Sequence, residues 1–480
     1  MKPTIAILGA GPAGLGLAAR LLARADLAAS VLIVERNPEV GGLAGSFEHS
    51  GLYLDHGSHR LHPATAPEIL ADLRALLGAE LEQRLRNGRI RMLERYVAFP
   101  FNPLNLARTI PPWFTLGVLR DAVTRRRRRD AGAGATFADV LLAGLGPTIC
   151  SHFYFPYAQK LWGLPPEQIA AVQARRRVAA GTPGKLARKA LGAIPGLRPP
   201  RTGYYYYPRQ GFGQLSRALA ADVERRGGRI LLSCPLAGLR CEKGRVSALV
   251  LGGVQRGGSA AAPESVPVDF VFSTVPISVL ARSLRPPPPA QVAEAADGLH
   301  HQGMILVYLI LECARFTPYD AHYFPGAEAI FSRVSEPKNY SLNPEPAGLT
   351  GLCAEIPCAP AGALWQATDE ELGARVLADL ARVDLSVRCP VRAAFTRRLP
   401  HVYPVYDRDY EARLRVLETY LGGIDGLVTL GRQGLFVHDN THHTMEMAYR
   451  AADCLGPGLA WDAAAWRAQR ERFATHVVED

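Results

Sequence analysis

The chain has 480 residues, of which 48% are hydrophobic and 21% charged, and it carries a net charge of +11. This length gives room for two or three domains, and the lack of any apolar run of about 18 residues argues against a transmembrane helix. Eight cysteines without a CxxC pair favour reduced thiols in a cytoplasmic protein and give no basis for predicting a metal site.

The first predicted elements are a strand, a turn and a helix in "TIAILGAGPAGLGLAARLL", followed by a second strand, "SVLIVE". The turn has GxGxxG spacing at Gly9, Gly11 and Gly14, and Glu35 ends the second strand. In a βαβ unit such glycines permit a tight turn, close approach to a pyrophosphate and close packing of the helix on the strand. The acid accepts hydrogen bonds from ribose hydroxyls, so the pattern predicts a dinucleotide site.

Helical stretches rich in Ala, Leu and Arg alternate with proline turns over residues 64–203. An arginine run at 125–129 follows an apolar stretch, and segment 104–129 therefore has two interpretations. It is either a peripheral contact with an anionic membrane or a solvated helix end. No interleaved aromatic motif accompanies the arginines, so we do not predict nucleic-acid binding. The basic charge favours an anionic small-molecule substrate.

Two kinds of strand are predicted in the rest of the chain. "DFVFSTVP" and "GLVTLG" are short apolar runs, as in buried strands, and alternating runs such as "GMILVYLILE" and "GLTGLCAEIP" predict an antiparallel sheet. The helix "TDEELGARVLADLARV" interrupts that sheet.

A second glycine pair, Gly41 and Gly42, follows Glu35 in "ERNPEVGGLAGSF". This extension resembles the FAD-binding fold of the glutathione-reductase type, and "DFVFSTVP" and "LVTLGRQG" are similar to the segments that complete that fold. The resemblance implies an α/β protein with a Rossmann-like FAD-binding domain, built from residues 1–63, 204–280 and 425–480. Residues 64–203 would form a helical insertion, and residues 281–424 an antiparallel-sheet substrate domain.

A narrower resemblance connects the chain to UDP-galactopyranose mutases and their amine-oxidase-like relatives. "LDHGSHRLHP" resembles their flavin-facing histidine segment, and "FPYAQKLWGLPPEQIAAVQARRRV" resembles the helix beside their uridine pocket. "YYYYPRQGFGQLSRALA" is similar to their tyrosine-proline-glycine turn and helix. "YPVYD" followed by "GLVTLGRQGLFVHDN" is similar to their tyrosine-proline strand and FAD loop.

The resemblance implies a role for individual residues. Those implied to bind FAD are Gly9, Gly11, Gly14, Glu35, Arg36, Gly41, Gly42, Gly57, Ser58, Leu236, Gly431, Arg432, Asn440, His443 and Met445. Those implied to be catalytic are His59, Arg177 and Tyr403, and those implied to bind substrate are Arg60, Trp162 and Arg333. For the helix after His443 we expect an N-terminus that points at the cofactor.

Each of these roles has a structural alternative. His59 could hydrogen-bond backbone only, and Trp162 could be core packing between helices. The chain also departs from the mutase pattern at Ser58, Arg60 and Tyr406, and at Gly181, where mutases repeat the arginine that corresponds to Arg177. These departures speak against a strict UDP-galactose site.

The sequence therefore supports three functional hypotheses. The first is an FAD enzyme that acts on a sugar nucleotide or a related glycan precursor, with NAD(P)H as the candidate external reductant. The second is an FAD-dependent oxidase or desaturase that abstracts a hydride, with a substrate admitted from a membrane surface. The third is a non-enzymatic scaffold, which the complete set of cofactor motifs makes the weakest.

Overall fold

The computed structural model describes residues 2–101, 103–124, 134–177, 203–252 and 264–478. The arginine run at 125–129 and Gly181 lie outside the described residues. None of the helices in the described ranges has both the length and the apolar character that crossing a membrane requires.

Twenty strands are present in the described chain. They are β1 (Thr4–Leu8), β2 (Ser30–Val34), β3 (Ser46–His49), β4 (Leu52–Asp55), β5 (Leu81–Leu85), β6 (Gly88–Met92), β7 (Arg95–Phe99), β8 (Tyr204–Pro208), β9 (Arg229–Leu231), β10 (Leu236–Glu242), β11 (Arg245–Leu251), β12 (Glu264–Pro267), β13 (Phe270–Ser273), β14 (Leu284–Arg285), β15 (His301–Leu311), β16 (Ala321–Tyr323), β17 (Arg333–Ser335), β18 (Thr350–Cys358), β19 (Val391–Pro404) and β20 (Leu427–Thr429).

Seventeen α-helices are present in the described residues. They are α1 (Pro12–Leu22), α2 (Pro67–Leu77), α3 (Pro103–Thr109), α4 (Pro112–Thr124), α5 (Phe137–Leu145), α6 (Pro147–Ile149), α7 (Phe155–Trp162), α8 (Ala171–Arg177), α9 (Gln214–Arg225), α10 (Ile277–Ser283), α11 (Ala290–Asp297), α12 (Ala363–Gln366), α13 (Asp369–Arg382), α14 (Tyr410–Gly422), α15 (Gly431–Gly434), α16 (Thr441–Asp453) and α17 (Ala463–Phe473).

The first of two large sheets is a five-stranded parallel sheet with the strand order β20-β13-β1-β2-β9. Its central strands β1, β13 and most of β2 are apolar and buried because both faces of the sheet are covered there. Ile5 and Ile7 of β1 pack into a core with α1, α9 and α16, whereas Ala6 and Leu8 pack into a second core with α10, α11 and α14. The Rossmann-like sheet predicted from the two apolar strands and the βαβ unit is confirmed.

The second large sheet has seven strands in the order β19-β15-β18-β17-β16-β6-β7. Its long central pairs, β15 with β18 and β15 with β19, are antiparallel, as the alternating runs predict. Helix α13 packs on β15 and β19, and its N-terminus carries a capping box of Thr368 and Glu371.

Segment 64–203 differs from the helical insertion that we expected, because it also contains β5, β6 and β7. Strands β6 and β7 form a hairpin that joins the antiparallel sheet, and β5 pairs with β8. The hairpin turn is made by Leu93 and Glu94, with φ of 53° and 60°. A two-residue turn of this kind normally carries Asn or Gly, so its sequence gives no turn signal.

Candidate functional site

A cavity of about 900 Å³ is lined by residues of both sheets. It begins at the carboxyl ends of β1, β2 and β13, the position where open α/β sheets bind ligands. It extends to β15, β18 and β19 of the antiparallel sheet. The predicted site residues that line it are Gly9, Gly11, Glu35, Arg36, Gly42, Gly57, Ser58, His59, Arg60, Leu236, Arg333, Tyr403, Arg432 and Asn440.

The turn after β1 has no room for a side chain at two of its glycines. Gly9 has φ of +103°, and a Cβ there would lie 2.4 Å from Oγ1 of Thr274. A Cβ on Gly14 would lie 2.0 Å from the carbonyl oxygen of Gly9, so only glycine lets α1 pack this closely on β1. Gly11 is the N-cap of α1 and no side chain caps that helix end. The N-terminal amides of α1 therefore remain available for an anion at the cavity wall.

Glu35 is buried at the end of β2 and fixes the turns on either side of it. Its Oε2 accepts a hydrogen bond from the backbone N–H of Ala10 at 2.9 Å, and its Oε1 accepts from the N–H of Asn37 at 2.9 Å. Each carboxylate oxygen retains a further lone pair, which could accept from a ribose hydroxyl.

The far end of the cavity is organised by a buried ion pair of Arg333 and Glu355. Arg333 donates from Nε to Oε1 at 2.8 Å and from Nη2 to Oε2 at 2.7 Å. The Oε1 atom also accepts from the backbone N–H of Ser58 at 2.7 Å. A Cβ on Gly57, which has φ of +94°, would lie 3.3 Å from the same oxygen. The ion pair thereby anchors the segment that carries His59.

His59 lies in this segment as a partly buried imidazole at the cavity wall. Its Nε2 lies 3.0 Å from the carbonyl oxygen of His56, and its ring stacks on Phe212 with centroids 5.5 Å apart. Burial lowers the pKa of His59 to about 4. The imidazole is therefore neutral at neutral pH and can position a ligand without adding charge.

The positive charge of Arg60 is balanced by neighbouring side chains of the protein itself. Its Nη2 lies 3.3 Å from Oδ1 of Asp320, and its guanidinium carbon lies 5.2 Å and 5.1 Å from the ring centroids of Tyr205 and Tyr340. The hydroxyl of Tyr340 lies 2.5 Å from Oγ of Ser58. Arg60 thus helps to hold the wall behind Ser58.

Arg432 fixes the loop between β20 and α16. Its guanidinium donates to the carbonyl oxygens of Val402 at 2.9 Å and Asp439 at 3.2 Å, and it lies 5.3 Å from the ring centroid of Tyr403. The ring of Tyr403 also stacks on His438, with centroids 5.9 Å apart. Arg432 and Tyr403 therefore join β19 to the loop at the cavity wall.

Among the side chains that the structure describes, the remaining predicted site residues do not line the cavity. Gly14 and Gly41 are closely packed against backbone atoms, and Gly431 is packed against the side chains of Ala13 and Thr274. Met445 is core, with Cε 3.8 Å from a Cβ built on Gly16. Trp162 is buried among the helices, with ring contacts to Phe137 and His438. Arg177 is the last residue of α8, and its side chain lies outside the described residues.

The helix expected after His443 begins earlier, at Thr441. Asn440 is its N-cap, and His443 occupies the third helical position of a capping box. The backbone N–H of Asn440 donates to Nδ1 of His443 at 3.3 Å, which explains why a histidine stands there. His443 therefore supports the helix end, while Thr441 and Thr444 reach the cavity.

Asp439, His443 and His476 offer ligand atoms within 4.8 Å of one another. All three groups are already engaged, because Oδ2 of Asp439 lies 2.6 Å from Nδ1 of His476 and His443 caps α16. We assign this cluster to the anchoring of the C-terminal residues on the cavity wall.

Sequence analysis missed Glu355, His56 and Arg397. Glu355 is an acid within the otherwise apolar strand "TGLCAEIPC", a signal that could have identified it. Nη1 of Arg397 lies 3.1 Å from Nε2 of His56, and the guanidinium carbon of Arg397 lies 3.5 Å from the ring centroid of Phe47. No spacing in the sequence connects residues so distant along the chain.

The fold and the cavity define a dinucleotide-binding protein with an extended cofactor site. The sequence model of the flavin containing amine oxidoreductase family matches residues 12–452. The chain belongs to this family, and it is an FAD-dependent oxidoreductase or flavin-dependent mutase.

Solved structures with the same fold include enzymes of different activities. A reduced UDP-galactopyranose mutase superposes with a TM-score of 0.79 at 20% identity over 100% of both chains. A putative protoporphyrinogen oxidase from Exiguobacterium has a TM-score of 0.69 at 18% identity, over 94% of this chain and 98% of that one. Putrescine oxidase bound to putrescine has a TM-score of 0.59 at 18% identity, again over 94% and 98%. No curated protein matches the chain in sequence.

FAD is the cofactor that this family implies, and the residues of the cavity fit it. The uncapped N-terminus of α1 at Gly11 suits a pyrophosphate, and Glu35 suits a ribose. Leu236, near the Glu35 end, and His59, at the other, both line the same cavity, so it has room for an extended ligand. When bound, FAD supplies the redox or nucleophilic chemistry of its flavin ring, and the protein supplies position and a dry environment.

Proposed function

We propose that the protein is an FAD-dependent enzyme that acts on a sugar nucleotide or a related phosphorylated glycan precursor, with flavin N5 at the reacting carbon. NAD(P)H is the proposed external reductant. What the protein must provide in such chemistry is the position of the substrate and a stabilising environment for its departing phosphate.

The charge of the cavity supports an anionic substrate. Within the described residues, its lining includes seven arginines and four carboxylates. The arginines are Arg36, Arg60, Arg86, Arg333, Arg397, Arg398 and Arg432. The carboxylates are Glu35, Glu39, Glu355 and Asp439. An excess of guanidinium groups in a concave site favours phosphate.

Arg397 carries the proposal most directly. Its contacts are a neutral ring nitrogen of His56 and the face of Phe47, and it forms no ion pair with a carboxylate of the described residues. Burial lowers the pKa of His56, which keeps that imidazole neutral beside the guanidinium. Arg397 also shares β19 with Tyr403, and both line the cavity. It is therefore a cation with capacity for a substrate phosphate.

The proposal is tested by incubating dithionite-reduced protein with a panel of UDP- and dTDP-hexoses and separating the products by chromatography. We expect pyranose–furanose interconversion of at least one member. A panel without any interconversion would contradict the sugar-nucleotide proposal.

Arg397→Gln sharpens the test. We expect the variant to keep its flavin and to raise the KM for the nucleotide sugar about tenfold or more, since a charged hydrogen bond contributes about 1.5–3 kcal/mol. The matched control is Arg245→Gln. Arg245 is an exposed arginine of β11 that forms an ion pair with Asp425. If Arg397→Gln instead loses its flavin, the arginine serves the cofactor and no longer supports a substrate phosphate.

An exposed apolar surface on α4 favours a second candidate, net oxidation or desaturation of a membrane-associated substrate. Leu116, Leu119 and Val123 are 65%, 58% and 75% exposed, and Trp113 is 54% exposed. Their spacing of three and four residues puts them on one broad side of the helix. Such a surface can insert at the boundary between lipid headgroups and acyl chains.

This candidate is tested by flotation with vesicles that contain anionic lipid. We expect the protein to float and the Leu116→Ser/Val123→Ser variant not to, whereas Leu85→Ser, which changes another exposed leucine, should behave as the wild type. Anaerobic bleaching of the flavin by a lipid, amine or porphyrinogen substrate would then favour oxidation. Failure of both assays would remove the candidate.

A further inference from the structure

Two cysteines face each other where β15 and β19 continue beyond the cavity. The strands pair antiparallel with Leu311 opposite Val391, and the backbone N–H of Glu312 donates to the carbonyl oxygen of Pro390 at 3.0 Å. One step further along the same register, Cys313 lies directly opposite Cys389. Their Sγ atoms are 2.7 Å apart, and both side chains are partly exposed.

The hydrogen-bonding pattern makes this pair suitable for a covalent bond. Residues opposite each other in an antiparallel ladder alternate between hydrogen-bonded and non-hydrogen-bonded pairs. Glu312 and Pro390 form a hydrogen-bonded pair, in which proline cannot return the second bond. The next pair, Cys313 and Cys389, lies just past the strand ends at the position of a non-hydrogen-bonded pair. Residues in such positions of a regular ladder have Cα atoms about 4.5 Å apart. Disulfides span Cα separations of about 4.4–6.8 Å.

We propose that Cys313 and Cys389 form a reversible disulfide by exchange with a low-molecular-weight disulfide such as oxidised glutathione. One protein thiol loses its proton and attacks the small disulfide, which releases one small thiol and leaves a mixed disulfide. The second protein thiolate then attacks the protein sulfur of that mixed disulfide and releases the second small thiol. Two protein thiols are oxidised, and one small disulfide is reduced to two thiols.

Either thiol can make the first attack in this exchange. Because both side chains are partly exposed, a small disulfide can reach either sulfur.

The bond would close a covalent loop that contains three of the seven strands of the antiparallel sheet. The chain between the two cysteines contains β16, β17, β18, α12 and α13. A disulfide across a loop this long restricts the unfolded state strongly. Neither cysteine lines the cavity, which β15 and β19 reach through Met304, Leu306 and residues 397–403. The pair would therefore regulate stability and leave flavin binding unchanged.

The test equilibrates the full-length flavin-loaded protein in glutathione buffers that range from fully reduced to fully oxidised. After acid trapping and alkylation with N-ethylmaleimide, peptides are mapped by mass spectrometry. We expect a linked peptide that joins Cys313 and Cys389 in the oxidised buffers, its reversible loss in the reduced ones, and a melting temperature several degrees higher in the oxidised protein.

Cys313→Ser and Cys389→Ser should each abolish the linked peptide and the melting shift while they retain the flavin absorbance. Cys241→Ser is the matched control, because Cys241 is also partly exposed on a strand, β10, and should leave both readouts intact. Wild-type protein that alkylates at both cysteines in every buffer, or carries glutathione adducts without a linked peptide, would overturn the proposal. Peptide mapping of the wild type decides the matter even if a serine variant does not fold.

Discussion

The two ends of the cavity are built in different ways. At the parallel sheet, Gly9 and Gly14 leave no room for a Cβ, and the turn after β1 is joined to its neighbours by backbone hydrogen bonds. At the antiparallel sheet, the wall depends on buried charges and rings, with Arg333 and Glu355 at its centre. The first end is therefore sensitive to added atoms, whereas the second is sensitive to the removal of a partner.

The strongest test of this difference is Arg333→Met. The change leaves Glu355 buried without its cation, which costs about 3–5 kcal/mol when one partner of a buried pair is removed. We expect a loss of that size in urea unfolding. Replacing both residues, as in Arg333→Met/Glu355→Leu, should restore part of the stability because no buried charge remains.

An exposed pair provides the control for this prediction. Arg245→Met breaks the ion pair with Asp425, whose side chains are 56% and 70% exposed. Exposed pairs contribute about 0–1 kcal/mol, so the expected loss is small. Equal losses for Arg333→Met and Arg245→Met would mean that the buried pair does not organise its end of the cavity.

Gly14→Ala tests the other end. The added Cβ would lie 2.0 Å from the carbonyl oxygen of Gly9, so α1 must move away from β1. We expect a cost of about 1–3 kcal/mol, as for overpacking, and reduced flavin content by absorbance. Gly144→Ala in α5 is the control, because its Cβ would meet no atom within 4 Å. It should be neutral or stabilising by about 1 kcal/mol.

The same difference explains what could be predicted from the sequence. The turn at Gly9 and the acid at Glu35 lie within one βαβ unit, so local spacing was enough to identify them. Glu355 accepts a hydrogen bond from the backbone N–H of Ser58, which is 297 residues away in the sequence, and no local sequence pattern indicates that contact. The hairpin turn at Leu93 and Glu94 was missed because these residues rarely adopt positive φ.

The titratable groups His59 and Asp55 make the stability of the protein depend on pH. Burial lowers the pKa of His59 to about 4, whereas an unfolded histidine titrates near about 6.5. The unfolded state therefore binds more protons between these values, and this stability contribution is lost as the pH falls through that window. His59→Gln should flatten the dependence of unfolding free energy on pH by up to about 1.4 kcal/mol per pH unit.

Asp55 provides a comparison of opposite sign. Burial raises its pKa to about 6, despite hydrogen bonds from Ser46 and Tyr207. The folded state then holds a proton that the unfolded state has lost, so this contribution is present at low pH and declines as the pH rises towards 6. In the Asp55→Asn variant, the free energy of unfolding should therefore rise more steeply with pH than in the wild type. In the His59→Gln variant it should rise less steeply. Parallel pH profiles for the two variants would contradict both assignments.

The smallest expected effect concerns a neutral hydrogen bond in the same wall. Ser58→Ala removes the contact between Oγ of Ser58 and the hydroxyl of Tyr340, 2.5 Å apart, and should cost about 1 kcal/mol. Tyr340→Phe should cost more, because that hydroxyl also lies 3.4 Å from Nη2 of Arg60. A double-mutant cycle in urea measures the coupling directly. If Ser58→Ala costs as much as Arg333→Met, the wall is stabilised by its hydroxyl network, and buried charge does not distinguish the two ends of the cavity.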